Sequence, residues 1–432
     1  MKKIIVYILP LVLLLHVSKA QTPRPADPQT EPIALLHATA HIGNGQVIAN
    51  SYILFEKGKI VGIGDATNSR PDLTGYRLID AAGKHVYPGL IMPSSRLGLE
   101  DISAVRPTVD FNEVGEITPH VRSQIAFNTD SDLLPTFRFN GILLAQVAPQ
   151  GGLVTGTSSV MMLDGWNWED ATYVQDDAIH VSWPSRTISP RWWMGETERK
   201  ENPTYQKQCD AIGQLFIDAA AYHAGTSKVD INLVLEAVAG VLDGTQKVFV
   251  EVNNAREIMD AINRFKSVGV TNLVIVGGSD AYYVKDLLRQ NNIPVILDNL
   301  HRLPSREDEA VDEPFRLPYL LTKEGILVGL RHEGMLARGR NLPFYAGTAA
   351  AYGLEKEEAL KLITSNTAKI LGIDRVTGTL ETGKDANLLL TEGDLLDMKE
   401  SIIISAFIQG REVIIEGKQQ ILYERFKDKY SE

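Results

Sequence analysis

Glu251 and Glu333 are the two carboxylates whose neighbours suit chemistry on a water molecule. Glu251 lies in Val248-Phe249-Val250-Glu251-Val252-Asn253. In a strand, successive side chains alternate between faces, so the valines take one side and Phe249, Glu251 and Asn253 the other. Glu333 ends the run Arg331-His332-Glu333, beside a permanent cation and an imidazole that titrates near neutral pH. Ser94 and Arg96 stand two residues apart in Pro93-Ser94-Ser95-Arg96, a spacing that puts both on one face of a strand. A carboxylate that takes a proton from water, with the Arg96 guanidinium facing the developing oxyanion, would make a hydrolytic centre. His301, in Asp298-Asn299-Leu300-His301, is a further acid or base candidate, as are His332 and Arg331 at the first site. The chain has no glycine loop ending in a phosphate-binding lysine, no nucleophile elbow and no zinc-finger cysteine pattern.

The elements that must position these groups fall into a β-rich start, an alternating middle and a β-rich end. Short β-type runs at Ala34 to Ala40, Ser51 to Glu56, Lys59 to Ile63 and Tyr76 to Ile79 are punctuated by Asn44-Gly45, Lys57-Gly58 and Gly83-Lys84. Similar runs return at Ala386 to Leu390, Ile402 to Ile408 and Val413 to Ile415, with turns that include Gly417-Lys418. Two such ends around an αβ middle predict a small β-sandwich, built from residues 32–87 and 382–425. Between them, residues 88–381 alternate strands (Ile142 to Val147, Val160 to Leu163, Val248 to Val252, Leu273 to Val276, Val295 to Leu297, Ile326 to Leu330) with helices. The expected helices include Pro203 to His223, Asn232 to Leu242, Ala255 to Lys266 and Ala281 to Gln290. The third of these sets Ile258, Met259, Ile262 and Phe265 on one face. Repeated βα units predict a parallel barrel whose loops after the strands carry function.

Several blocks together resemble the amidohydrolase superfamily, in its secreted, imidazolonepropionase-like branch. They are Asp80-Ala81-Ala82-Gly83-Lys84, Pro88-Gly89-Leu90-Ile91-Met92, Gly151-Gly152-Leu153-Val154-Thr155-Gly156, Asn341-Leu342-Pro343-Phe344, Asn366-Thr367-Ala368-Lys369-Ile370-Leu371-Gly372 and Gly383-Lys384-Asp385-Ala386-Asn387. The family usually closes the last block with Asp, where this chain has Asn387. The resemblance implies an α/β fold, a distorted TIM (β/α)8 barrel with a composite β-sandwich. It also implies hydrolysis of C–N bonds in amides or cyclic amides, assisted by zinc or another divalent metal. The family's first-strand histidines fall on Ser94 and Arg96, the fifth-strand histidine on Glu251 and the sixth-strand histidine on Gly277. The eighth-strand aspartate falls on Glu333, or on Arg331 or His332 in a slipped register. A hydroxyl is a poor zinc ligand, a guanidinium repels a cation and glycine has no side chain to offer. No metal site is therefore expected. The reading is a ligand-binding or partner-subunit role without zinc catalysis, in an impaired relative of the enzymes. The alternative is an active amidohydrolase with a rearranged site around Glu251 and Glu333.

Composition bounds the rest. With 432 residues, 44% hydrophobic and 22% charged, the chain is an ordinary globular protein with one large and one smaller domain. Residues 1–20 read as a secretory signal: Lys2 and Lys3, an apolar run from Ile4 to Val17, then Ser18-Lys19-Ala20 at the cleavage positions. That implies export to the periplasm or beyond, and no membrane span in the mature chain. Residues 21–31 are a Pro-rich polar linker. A formal charge of −11 argues against nucleic acid or an anionic membrane as partner. A small ligand, a second copy or an intact relative remain. The lone Cys209 reads as a buried structural thiol, and His37 and His41 as a surface pair on a terminal strand. The polar stretch 299–316 reads as a lid. The five tryptophans all fall within 165–195, as a local satellite core or as an interface.

Overall fold

The computed structural model describes residues 24–225, 230–304, 306 and 308–431. The expected signal, 1–20, lies outside the described residues. Two sheets dominate. In the first, strands from both ends of the chain form one continuous eight-stranded sheet. Its two halves join where His85–Pro88 pairs antiparallel with Leu388–Thr391. Ile33, Leu35, Ile53, Phe55, Val86, Leu388 and Phe407 form its own core. Alternation along Ile33–His41 is broken by irregular register on both sides of Ala38, and His37 takes a left-handed φ of 66°. His37 and His41 are therefore not a pair: His37 meets Asp80, while His41 bonds Glu357 and His85 and stacks on Tyr87.

The second sheet is the barrel, with strands numbered here in chain order: β1 (Leu90–Ser95), β2 (Ile142–Val147), β3 (Val154–Met162), β4 (Thr172–Ser182), β5 (Lys247–Val252), β6 (Leu273–Gly277), β7 (Val295–Asp298) and β8 (Val328–Arg331). Neighbours in this order are hydrogen-bonded from β1 to β8. The expectation of an all-parallel barrel needs one correction, since β3 runs antiparallel to both β2 and β4. No helix separates β2 from β3. The chain turns back through Gly151 and Gly152, at φ of 90° and 73°, a conformation that costs glycine little.

The ladder does not close between β8 and β1. Instead the chain at 362–363 bridges the seam: Leu330 N–H donates to the Leu362 carbonyl (3.2 Å) and Ile91 N–H to the Ile363 carbonyl (3.0 Å). Helices pack outside. In the helix Ala255–Ser267, the Asn254 side chain caps the start by accepting from Arg256 N–H, and Ile258, Ala261, Ile262 and Phe265 are buried. Met259 faces outward instead, since a residue next to Ile258 turns about 100° away on a helix. The expected helix from Asn232 to Leu242 is two single turns, Leu233–Glu236 and Ala239–Leu242. The turn expected at Gly417-Lys418 instead opens a helix, Lys418–Tyr430, tied to the barrel side by Lys418–Asp132 at 2.5 Å.

Residues 24–31 contain no helix or strand but are held in place. Gln29 caps both Phe55 O and Gly58 N, and Ala26 N–H donates to Asp164. Cys209 is buried and unpaired. The satellite core expected of the tryptophans does not form. Trp183 is buried, but Trp166, Trp192 and Trp193 are 63%, 78% and 67% exposed. Trp192 and Trp193 ride on a 3-10 turn at the tip of a two-stranded excursion, Thr187–Ile188 against Lys200–Glu201, too short to fold back over them.

Candidate functional site

The barrel's mouth is built around Arg331, the last residue of β8. Its side chain is 1% exposed. One end of the guanidinium, Nη1, donates to the Ser94 carbonyl (3.0 Å) and Oγ (2.9 Å). The other end, Nη2, lies 2.9 Å from Glu251 and 3.1 Å from Asp298. Register explains the convergence. Asp298 and Arg331 are paired residues of β7 and β8, and β1 is the strand across the open seam. Ser94 meets the arginine in a left-handed conformation, φ 47°, which a non-glycine residue holds only at a cost. Its N–H is fixed by Gln146 Oε1 at 3.0 Å. Burial works against the Arg331 charge, but Asp298, Glu251 and Glu333 outweigh it and hold the guanidinium more firmly protonated than usual.

A second cation lies one layer further out. Arg96 bonds the Glu333 carboxylate and its carbonyl (3.1 Å), pairs with Glu100 at 3.0 Å and covers the Phe111 ring at 4.8 Å. Gln150 also donates to Glu333 Oε1 (3.2 Å), and Glu333 N–H donates to Asp298 (3.1 Å). Burial pushes the Glu333 carboxyl up to about 7 even though Arg331 and Arg96 pull the other way. His180, on β4, stacks on Phe249 inside the barrel. There burial, and secondarily Arg331, press it down to about 3, so it is neutral.

These positions settle which of the candidates meet. Ser94, Glu251 and Arg331 form one cluster, and Arg96 and Glu333 form the adjoining one. Arg331 is the last residue of β8, and Glu333 lies two residues beyond it. Gly277 faces Asn253: a Cβ there would lie 2.7 Å from Asn253 Oδ1, at φ 91°. His332 and His301 stay out of the ion pairs. His332 is buried against Tyr345, with both ring nitrogens lacking a hydrogen-bond partner, and burial lowers its basicity. His301 bonds Thr348 Oγ1 at 2.7 Å. In the stretch after β7, Arg306 ties to Asp280 and Arg302 to Glu309.

Asp298 is the functional-site residue that sequence reasoning missed. An acid at the C-terminal end of a barrel strand was the available signal. Gln146, Gln150, Glu100 and His180 carried no comparable mark.

The residues do not fit a metal. A hydroxyl, a guanidinium and a glycine (Ser94, Arg96 and Gly277) stand where the resemblance would need imidazoles, and a second guanidinium, Arg331, lies among them. Among the described residues no group of three or more His, Cys, Asp or Glu side chains could hold a metal ion. The pocket beside Ser94, His180 and Glu251 is small, about 10 Å³, scarcely room for one water.

Comparison with known proteins agrees on the fold. The model of the amidohydrolase family matches residues 223–418. An amidohydrolase from Thermotoga maritima MSB8 is similar at 24% identity and TM-score 0.77, over 88% of this chain and 99% of that one. A putative prolidase from Bifidobacterium longum is similar at 16% identity and TM-score 0.56, over 94% and 100%. A Xaa-Pro dipeptidase with methionine bound in its active site is similar at 14% identity and TM-score 0.55, over 88% and 99%. No curated protein matches. With its eight-stranded barrel sheet and its second sheet drawn from both ends of the chain, the chain has the fold of these amidohydrolases, and its residues 223–418 match the amidohydrolase family model.

Proposed function

We propose that this chain is an exported amidohydrolase relative that acts by binding, either a small ligand or a partner chain, and does not carry out zinc-assisted hydrolysis. The single observation behind this reading is the Arg331 guanidinium, buried between Ser94, Glu251 and Asp298 at the centre of the mouth. A cation there repels a metal and takes up the carboxylates that would otherwise serve as ligands. Support for export comes from Lys2, Lys3 and the apolar run that follows them. Among the described residues no helix is long and apolar enough to cross a membrane. Elemental analysis of the purified mature protein after dialysis is the test. Well under one metal per chain is expected, and tightly held zinc at full occupancy would overturn the reading.

A second reading has one observation in its favour. Glu333, raised to about 7, has the proton affinity of a general base working at neutral pH. In that case the chain hydrolyses C–N bonds of amides or cyclic amides, with Glu251 and Glu333 handling the protons and Arg96 facing the oxyanion. Its mark would be hydrolysis that resists chelators and is lost in Glu333→Gln. The Glu333 carboxylate is already taken up by Arg96 and Gln150, which favours the first reading.

A further inference from the structure

We propose that the opposite, N-terminal end of the barrel holds a site for a small organic anion, an apolar body carrying one phosphate or carboxylate group. A cavity of about 360 Å³ opens there, within the usual range for small-molecule sites. It lies at the starts of the strands: Lys247 opens β5, Leu273 opens β6, and Pro294 and Leu327 immediately precede β7 and β8. This end of such a barrel ordinarily serves stability alone, so a roomy polar cavity here is a departure.

Its lining has one sign. Lys247, Arg289 and Lys369 contribute three cations, and no carboxylate lines it, although acids outnumber bases in the chain, 54 to 43. Lys247 donates to the carbonyls of Lys369 (3.2 Å) and Ile370, at the end of the helix Ser365–Leu371. Those bonds take two of its three ammonium protons and leave one for a ligand. Lys369 makes no ion pair among the described residues. Arg289 is held at the rim by Asp286 (2.8 Å) and Glu324 (3.7 Å). Burial lowers the Lys247 ammonium below its usual range, and Asp177 and Asp374, outside the lining, oppose that shift only in part. Asn272 and Asn292 add neutral donors, while Leu288, Ile293, Pro294 and Ile326 form an apolar wall. Cations with spare donors facing an apolar wall match an anionic head on a hydrophobic body. A larger cavity of about 460 Å³, beside Phe344 and Met398, is lined by Glu355, Asp394 and Asp397 and lacks this bias.

The proposal does not rest on the state of the mouth and stands whether or not the protein holds zinc. The test is titration calorimetry on the whole protein with phenyl phosphate, at constant ionic strength set by sodium chloride. Saturable binding is expected, at least tenfold weaker for inorganic phosphate and at least tenfold weaker in Lys369→Gln. Lys247→Gln should lose binding too. Because that change also removes contacts to a helix end, the exposed Lys369 decides the matter. Lys427→Gln, on the remote C-terminal helix, should bind as the parent does. Absence of saturable binding, unchanged binding in Lys369→Gln, or equal affinity for inorganic phosphate would each overturn the proposal.

Discussion

At the scale of single residues, the mouth is centred on one buried positive charge, Arg331. Arg331 is buried with two carboxylates against it, so removing it strands Glu251 and Asp298 beside each other. Arg331→Ala is expected to cost about 3 kcal/mol in urea unfolding, the low end of the usual loss for a buried pair, because the stranded Glu251 is 43% exposed and Asp298 20%. Arg96 is 17% exposed and partly wet, so Arg96→Ala should cost less, roughly 1–3 kcal/mol. Equal costs would mean that the two cations are not layered as described. The pH dependence carries a second signature. Glu333 is raised in the folded protein to about 7 from an ordinary 4.5, so the unfolded chain loses this proton first as pH rises. Stability from this group is therefore complete below pH 4.5 and is lost as pH rises through 7. Asp177, raised to about 6 by burial, acts in the same direction from 3.8 upward. His180, depressed to about 3, acts in the opposite direction and lowers stability as pH falls below 6.5. Glu333→Gln should flatten the fall in stability between about pH 5 and 7. An unchanged slope would show that Glu333 does not carry that proton.

At the scale of elements, much of the barrel was legible and its mouth was only half so. β5 was readable because Val248, Val250 and Val252 alternate with Glu251, which fixes the inward face. The helix after it was readable because Ile258, Ile262 and Phe265 repeat at helical spacing. The reversed direction of β3 was not recovered, although Gly151-Gly152 is a strong turn signal, because strand direction is set by pairing partners far along the chain. The register at the end of β8 was left open between Arg331 and Glu333, since an alternation read in isolation does not say where a strand stops. Pairing with Asp298 makes Arg331 the last residue of the strand. Gly277 was seen only as a missing ligand. The structure adds why nothing larger is there: a left-handed backbone with Asn253 against it. Gly277→Ala is expected to lower stability by about 1–3 kcal/mol, seen as a shifted urea midpoint at constant slope. Retained stability would mean that β6 can relax at its end.

At the scale of the whole molecule, the barrel's mouth is occupied by ion pairs while a neighbouring excursion carries exposed apolar side chains. Trp192, Trp193 and Met194 stand together at 78%, 67% and 62% exposure, and the two indole rings meet edge to face at 5.9 Å. Tryptophan at such a position supplies large rigid contact area with a polar N–H to anchor it, which is why it is enriched at binding hot spots. Arg191 and Lys200 share Glu196, and with Glu198, Arg199 and Glu201 residues 191–201 carry three cations and three acids, so the excursion presents its aromatic tip with little net charge. If the surface matters more than the mouth, assembly should depend on these rings while folding does not. Light scattering on the purified protein is expected to give a mass above that of one chain, with itself or with an intact relative added. Trp192→Ser combined with Trp193→Ser should reduce it to the monomer. The same double change should leave the melting temperature of the monomer almost unaltered, because side chains this exposed add little to the core. A monomer under all these conditions would remove the partner role and leave ligand binding alone. An assembly that survives the double change would place the contact elsewhere, with the apolar face of the C-terminal helix, Leu422, Tyr423 and Phe426, as the next surface to alter.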